Sequence, residues 1–126
     1  MWLQSNNFNS PASFFFSYAT IPYLKLKFNG LIASLILDDR EYRFTTYNFS
    51  KIKQLNNNFI KLKKNKYTLN VYIDISNTQK LHAPKNGKMD RFVHETLNGF
   101  IKIELFKKDK LLFKGTGSNA GIEISN

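Results

Sequence analysis

Apolar and polar residues alternate along most of this chain with a period of two, and that period predicts strands. Residues 41–47 place Tyr42 and Phe44 on one face and Glu41, Arg43 and Thr45 on the other. Residues 31–37 precede them, with Asp38-Asp39 between, so the two segments read as an antiparallel hairpin. The first of the two is apolar on both faces, which suits a central strand or one that lines an apolar cavity. Residues 14–21 read as a strand stopped by Pro22, and 59–62 as a short strand followed by a turn at Lys63-Lys64-Asn65. Tyr67, Leu69, Val71, Ile73 and Ile75 then hold every second position, with Thr68, Asn70 and Asp74 between them. Residues 76–88 read as a loop. Ile101, Ile103 and Leu105 repeat the alternation over 100–106, with Lys102 and Glu104 outward. A turn at 107–110, a return strand at 111–115 and a last strand at 120–124 complete the pattern. No segment sustains a helical period.

Antiparallel strands with turns about every ten residues suggest a sandwich or barrel. The expectation is therefore an all-β fold, an antiparallel lipocalin-like β-barrel or a half-barrel of curved sheet, forming a single domain over 1–126. Composition agrees: 12 Phe and 6 Tyr among 126 residues supply a core of β-favouring side chains.

Charge adds a question about partners. The formal net charge is +10, yet only Arg40, Arg43 and Arg91 carry the planar fork that reads phosphates and bases well, and the remaining basic residues are lysines. Lysines on outward strand positions also discourage edge-to-edge aggregation, so nucleic acid is a disfavoured partner and a solvated surface the better reading. The absence of Cys excludes disulfides, thiolate metal sites and a cysteine nucleophile. Residues 1–8 show neither the basic start nor the apolar core of a secretory leader. The longest apolar run falls far short of the ~20 residues that span a bilayer. A soluble, cytoplasmic product without a transmembrane segment is expected.

The one stretch where chemistry is plausible runs from Ala83 to Leu105, read as a polar loop entering a strand. It gathers Asp90, Arg91, His94 and Glu95 within six positions. His94 suits a proton shuttle or an ordinary hydrogen-bonded histidine. Arg91 and Glu95, four apart, suit a catalytic group or a structural ion pair, and Asp90 a turn or cap. His82 and His94 form no metal-ligand pattern, and no metal or cofactor is expected. Tyr42, Phe44, Tyr47, Tyr67 and Tyr72 suit the wall of an apolar pocket or plain core packing. Gly115, Gly117 and Gly121 precede no helix pattern and so read as bends or bulges.

Five collinear segments resemble the tocopherol cyclase family. They are Trp2-x-Gln4-x-Asn6-Asn7-Phe8; Gly30-Leu31-Ile32 through Asp39-Arg40-Glu41-Tyr42-Arg43-Phe44-Thr45-Thr46-Tyr47; Leu81-His82-Ala83-Pro84; Gly99 to Leu105; and Asn119-Ala120-Gly121-Ile122-Glu123-Ile124. The resemblance covers the carboxyl-terminal part of that family, whose members look like two lipocalin-like half-barrels. It implies closure of a prenylated quinol to a chromanol by protonation of an alkene, a cyclase or hydratase reaction of the lyase or isomerase type. Such chemistry needs a positioned acid and an apolar slot. Glu95 matches an acidic position in the family pattern, and Trp2, Gln4 and Asn7 match its opening element, where an inward amide orients a ligand hydroxyl. The implied partner is an apolar small molecule, prenylated or not. With the amino-terminal half absent, catalysis by this chain is in doubt, and a homodimer or a separate amino-terminal partner is the candidate for completing it. The alternatives from other classes are a basic, non-catalytic module for an anionic partner and a truncated, self-associating remnant.

Overall fold

In the computed structural model the chain forms one antiparallel sheet. The structure describes the backbone of residues 1–23, 26–74, 79–85 and 88–125, and the side chains of 1–19, 30–74 and 99–123. The strands are β1 (Trp2–Ser5), β2 (Ala12–Tyr23), β3 (Leu26–Leu37), β4 (Arg40–Thr45), β5 (Lys51–Leu55), β6 (Phe59–Lys64), β7 (Tyr67–Asp74), β8 (Gln79–Lys85), β9 (Lys88–Lys107) and β10 (Lys110–Ser125). Their order is β4-β3-β2-β1-β10-β9-β7-β6-β5, with β8 pairing β9 beyond the end of β7.

Connectivity forces this sheet to curl. Its edges, β4 and β5, are consecutive in sequence and joined only by residues 46–50. Nine strands laid flat would separate those edges by about 38 Å, whereas six backbone steps reach about 20 Å. The result is a strongly curled half-barrel. Nine alternating strands also leave the two edges running the same way, so no antiparallel ladder can join them. Both edges are short and carry cations, Arg40 and Arg43 on β4 and Lys51 and Lys53 on β5, which blunts them against stray pairing.

The concave face holds the core. Leu3, Phe14, Phe16, Leu31, Ala33, Leu35 and Phe44 from one flank meet Ile60, Leu62, Leu69, Val71, Ile101, Ile103, Leu105 and Ile122 from the other, all buried. Among the described residues side chains fill this face. Burying each large aliphatic or aromatic group contributes about 1.5–3 kcal/mol.

The hairpin of β3 and β4, with Asp38 at φ 53° in its turn, has the expected register, Leu37 opposite Arg40 and Ile32 opposite Thr45. The alternation on β7 and the lower half of β9 also stands, with Leu69, Val71, Ile73, Ile101, Ile103 and Leu105 all inward; Ile75 lies outside the described residues. The doubly apolar β3 lies inside the sheet, paired on both sides as expected, with Ile32 and Ile36 on its outer face 50% and 40% exposed. Three expectations are corrected. Strand β2 runs through Pro22 to Tyr23, because β1 ends its pairing near Ser17 and Tyr18 and leaves that side of β2 an edge where a missing N–H costs nothing. The polar loop is strand: residues 79–85 and 88–95 pair as β8 and β9, and β10 pairs the other side of β9 up to Ser125 with Val93. Asp90 therefore belongs to a strand rather than a cap. Finally, 111–115 and 120–124 belong to one strand, β10, bent by register shifts near Leu111, Gly117 and Ala120. At Gly117 an added Cβ would stand 2.6 Å from Ser5 Oγ and 2.8 Å from Phe8 Cζ, so close approach of β1 and its following loop requires glycine there.

Candidate functional site at the seam

Where β4 meets the β6–β7 hairpin the curled sheet is closed by side chains instead of a ladder. Arg40, Tyr42 and Phe44 alternate inward along β4, and Lys64 and Tyr67 flank the turn from β6 to β7. The rings of Tyr42 and Tyr67 pack edge to face at 5.6 Å. The Arg40 guanidinium stands 4.9 Å from the centre of the Tyr42 ring and donates from Nη2 to the Tyr67 hydroxyl at 3.4 Å. Together with Glu41, Arg43 and Phe44, these groups line a cleft of ≈170 Å³.

The strand connection holds the β4 edge in place. Thr45 Oγ1 accepts from the Asn48 amide while Asn48 Oδ1 accepts from the Thr45 amide, a reciprocal cap on the single 3-10 turn Thr46–Asn48. Asn48 Nδ2 donates to the Arg43 carbonyl at 2.9 Å, and Leu31 N donates to Thr46 Oγ1 at 2.8 Å.

Chemically the cleft offers ring faces and cations. Glu41 is the carboxylate on its lining, and it is a poor proton donor: the Ser34 hydroxyl, donating at 2.6 Å, and then Arg43, paired at 2.9 Å, hold its carboxyl below the usual range. The cleft therefore suits binding of a ring with a hydroxyl or anionic substituent, and its lining holds no neutral carboxylic acid.

The structure separates the sequence candidates into three groups. Tyr42, Phe44 and Tyr67 come together at the cleft, although Phe44 is also a buried core residue. Trp2 and Glu95 stand at the other end of the sheet with β10 between them: Trp2 pairs with Glu123, and Glu123 with Glu95, two strand spacings or about 10 Å across the ladder. Glu95, His94 and Arg91 lie on β9, and their side chains are outside the described residues. Tyr67 pairs with Lys107, twelve residues along β9 from Glu95, about 40 Å of strand, so the acid candidates and the seam cleft are separate places.

The third group faces outward. Gln4 is exposed, on the face opposite buried Leu3 and Ser5, so its amide is not inward. Asn7 donates from Nδ2 to Ser118 Oγ at 2.9 Å, pinning the loop after β1 to β10. Tyr47 stands on the strand connection, 84% exposed, and Tyr72 packs on the outer face against Phe59. Trp2 is outward too, lying over Gly121 and edge-on to Phe15 at 6.5 Å.

Arg40 was legible only as one of three arginines; its place between two tyrosines depends on the curl of the sheet. Among the described residues no group of three or more His, Asp or Glu side chains could hold a metal ion, and no helix is long and apolar enough to cross a membrane. Compared with protein-family models, curated proteins and solved structures, the chain matches none.

Proposed function

We propose that this chain is a half-barrel domain of the tocopherol cyclase type that binds an apolar, prenylated aromatic molecule with its ring in the seam cleft, and that it does not close that ring alone. The observation that carries this reading is the convergence of Tyr42, Phe44, Tyr67 and Arg40 on one cleft at the mouth of the interior. Barrel mouths are where small ligands bind such folds. A cavity of about 150 Å³ accepts a benzene-sized ring, so ≈170 Å³ suits one aromatic head group and not a prenyl tail as well. The curled sheet supports the reading further, because a half-barrel is what the family resemblance implies. The resembling segments fall on β1, β3, β4, β8, β9 and β10, which apart from β2 are neighbours in the sheet.

The same geometry argues against turnover by this chain alone. Protonating an alkene needs an acid of carboxylic strength in its neutral form beside the ligand, and the carboxyl of Glu41 is held below its usual range by Ser34 and Arg43. A second half, from another copy or a separate chain, would supply the acid, and the unpaired edges β4 and β5 are where it could join.

The test is displacement of a lipophilic fluorescent probe by a short-chain prenylated hydroquinone. Saturable displacement at one site per chain is expected, weakened at least tenfold by Arg40→Gln, with no chromanol formed. Failure to displace the probe would sink the ligand; chromanol formation by the purified chain would overturn the claim that it lacks the acid.

A further inference from the structure

We infer that the outer face of β5, β6, β7 and β9 docks onto an anionic lipid bilayer, a property that does not rest on the ligand proposed for the seam. A groove of ≈490 Å³ runs across this face, lined by Lys53, Lys61, Lys63 and Lys108 together with Thr68, Asn70 and Phe106. The lysines are concentrated on one flank of the sheet: among the residues whose side chains are described, 46–74 and 99–123 carry eleven lysines, while 1–19 and 30–45 carry no lysine and two arginines, Arg40 and Arg43. Such an asymmetry orients a protein in the field of a charged surface before contact.

Within the groove the lysines lack local compensation. Lys51 stands opposite Lys63 across the β5–β6 ladder, and like charges so placed repel. Glu104 stands on β9 between Asn70 and Lys114, outside the groove lining, and Asp109 sits in the exposed turn beside Lys108. No carboxylate lines the groove itself. A plane of lipid phosphates and carboxylates brought against this face offsets the repulsion that the free protein carries.

A bilayer fits this face better than nucleic acid does. Every cation lining the groove is a lysine, a point charge without the bidentate fork that reads bases. Two of the rings on this face, Phe59 and Tyr72, pack on each other at 4.9 Å, with Lys102 Nζ 5.2 Å from the Tyr72 ring centre, and so present less open surface for stacking bases. Leu111, 46% exposed and opposite Phe106, and Phe100, 45% exposed, add apolar side chains of the kind that enter the headgroup layer beside lysines.

The experiment is co-sedimentation of the full chain with vesicles of phosphatidylcholine containing phosphatidylserine, against vesicles of phosphatidylcholine alone. Binding to the anionic vesicles only, falling as salt is raised, is expected. The double variant K61Q/K63Q should bind roughly 25-fold more weakly, about fivefold for each lysine. The double variant S13E/S17E makes an equal change in net charge on the flank of β1 to β4 and should retain most of the binding. Equal loss in both variants would overturn the inference, because net charge and not this face would then be responsible. Binding of a single-stranded oligonucleotide that is sensitive to K61Q/K63Q, without vesicle binding, would overturn it in favour of nucleic acid. Thermal midpoints no lower than that of the parent show that neither variant acts by unfolding.

Discussion

The flank of β1 to β4 and the flank of β5 to β9 contribute alike to one interior and differ outside. Inward, the first flank buries Leu, Phe and Ala side chains and the second Ile, Leu and Val, at alternate positions of their strands. Outward, the first flank shows Ser13, Ser17, Ser34, Ile32 and Ile36, whereas the second shows Lys53, Lys61, Lys63 and Lys102. The inner pattern is what the curled sheet demands, since a one-residue slip would turn the core outward. The outer pattern is under no such demand, which is why the difference between flanks is informative about partners rather than about fold.

Three measurements would break or sharpen this comparison. Truncating the shared interior should cost most, and similarly on both flanks: Phe16→Ala about 3–5 kcal/mol and Leu69→Ala about 2–5 kcal/mol in urea unfolding. A loss below about 1 kcal/mol at either site would show that one flank does not belong to the cooperative core. Next in size is the seam that joins the flanks. A double-mutant cycle on Tyr42→Ala and Tyr67→Ala should give a coupling of about 0.5–1.5 kcal/mol, and zero coupling would mean the edges do not meet in solution. Smallest is the lysine face, where Lys63→Gln should stabilise by about 0.2–1 kcal/mol at low salt by removing the repulsion from Lys51. That gain should shrink as salt screens the pair, and a loss of stability instead would show that Lys63 is locally compensated.

Much of the sheet was legible, for reasons visible in particular residues. The β3–β4 hairpin announced itself through a two-residue Asp38-Asp39 turn between alternating runs, and β7 through four inward residues in step from Tyr67 to Ile73. Strand β8 and the upper half of β9 were not legible, because their ladder partners are supplied by each other and by β10 and not by any apolar alternation in 79–95. The sheet order could not be read either, since β1 and β10 pair from opposite ends of the chain. Of the candidate site, the aromatic residues were legible singly. Their grouping was not: Tyr42 and Tyr67 meet only because nine strands curl through the turn that a five-residue connection enforces. The length of β9 separates Tyr67, paired with Lys107, from Glu95, two residues that sequence alone could place in one pocket.

The central claim is that the aromatic head of a prenylated ligand sits at the seam. NMR of the chain labelled at its tyrosine rings, mixed with a short-chain prenylated hydroquinone, tests it most directly. The account predicts intermolecular contacts from the quinol ring to Tyr42 and Tyr67, lost in Arg40→Gln while the fold is retained. Contacts confined to the end of the sheet that carries Trp2, with the rings of Tyr42 and Tyr67 unmoved, would contradict it.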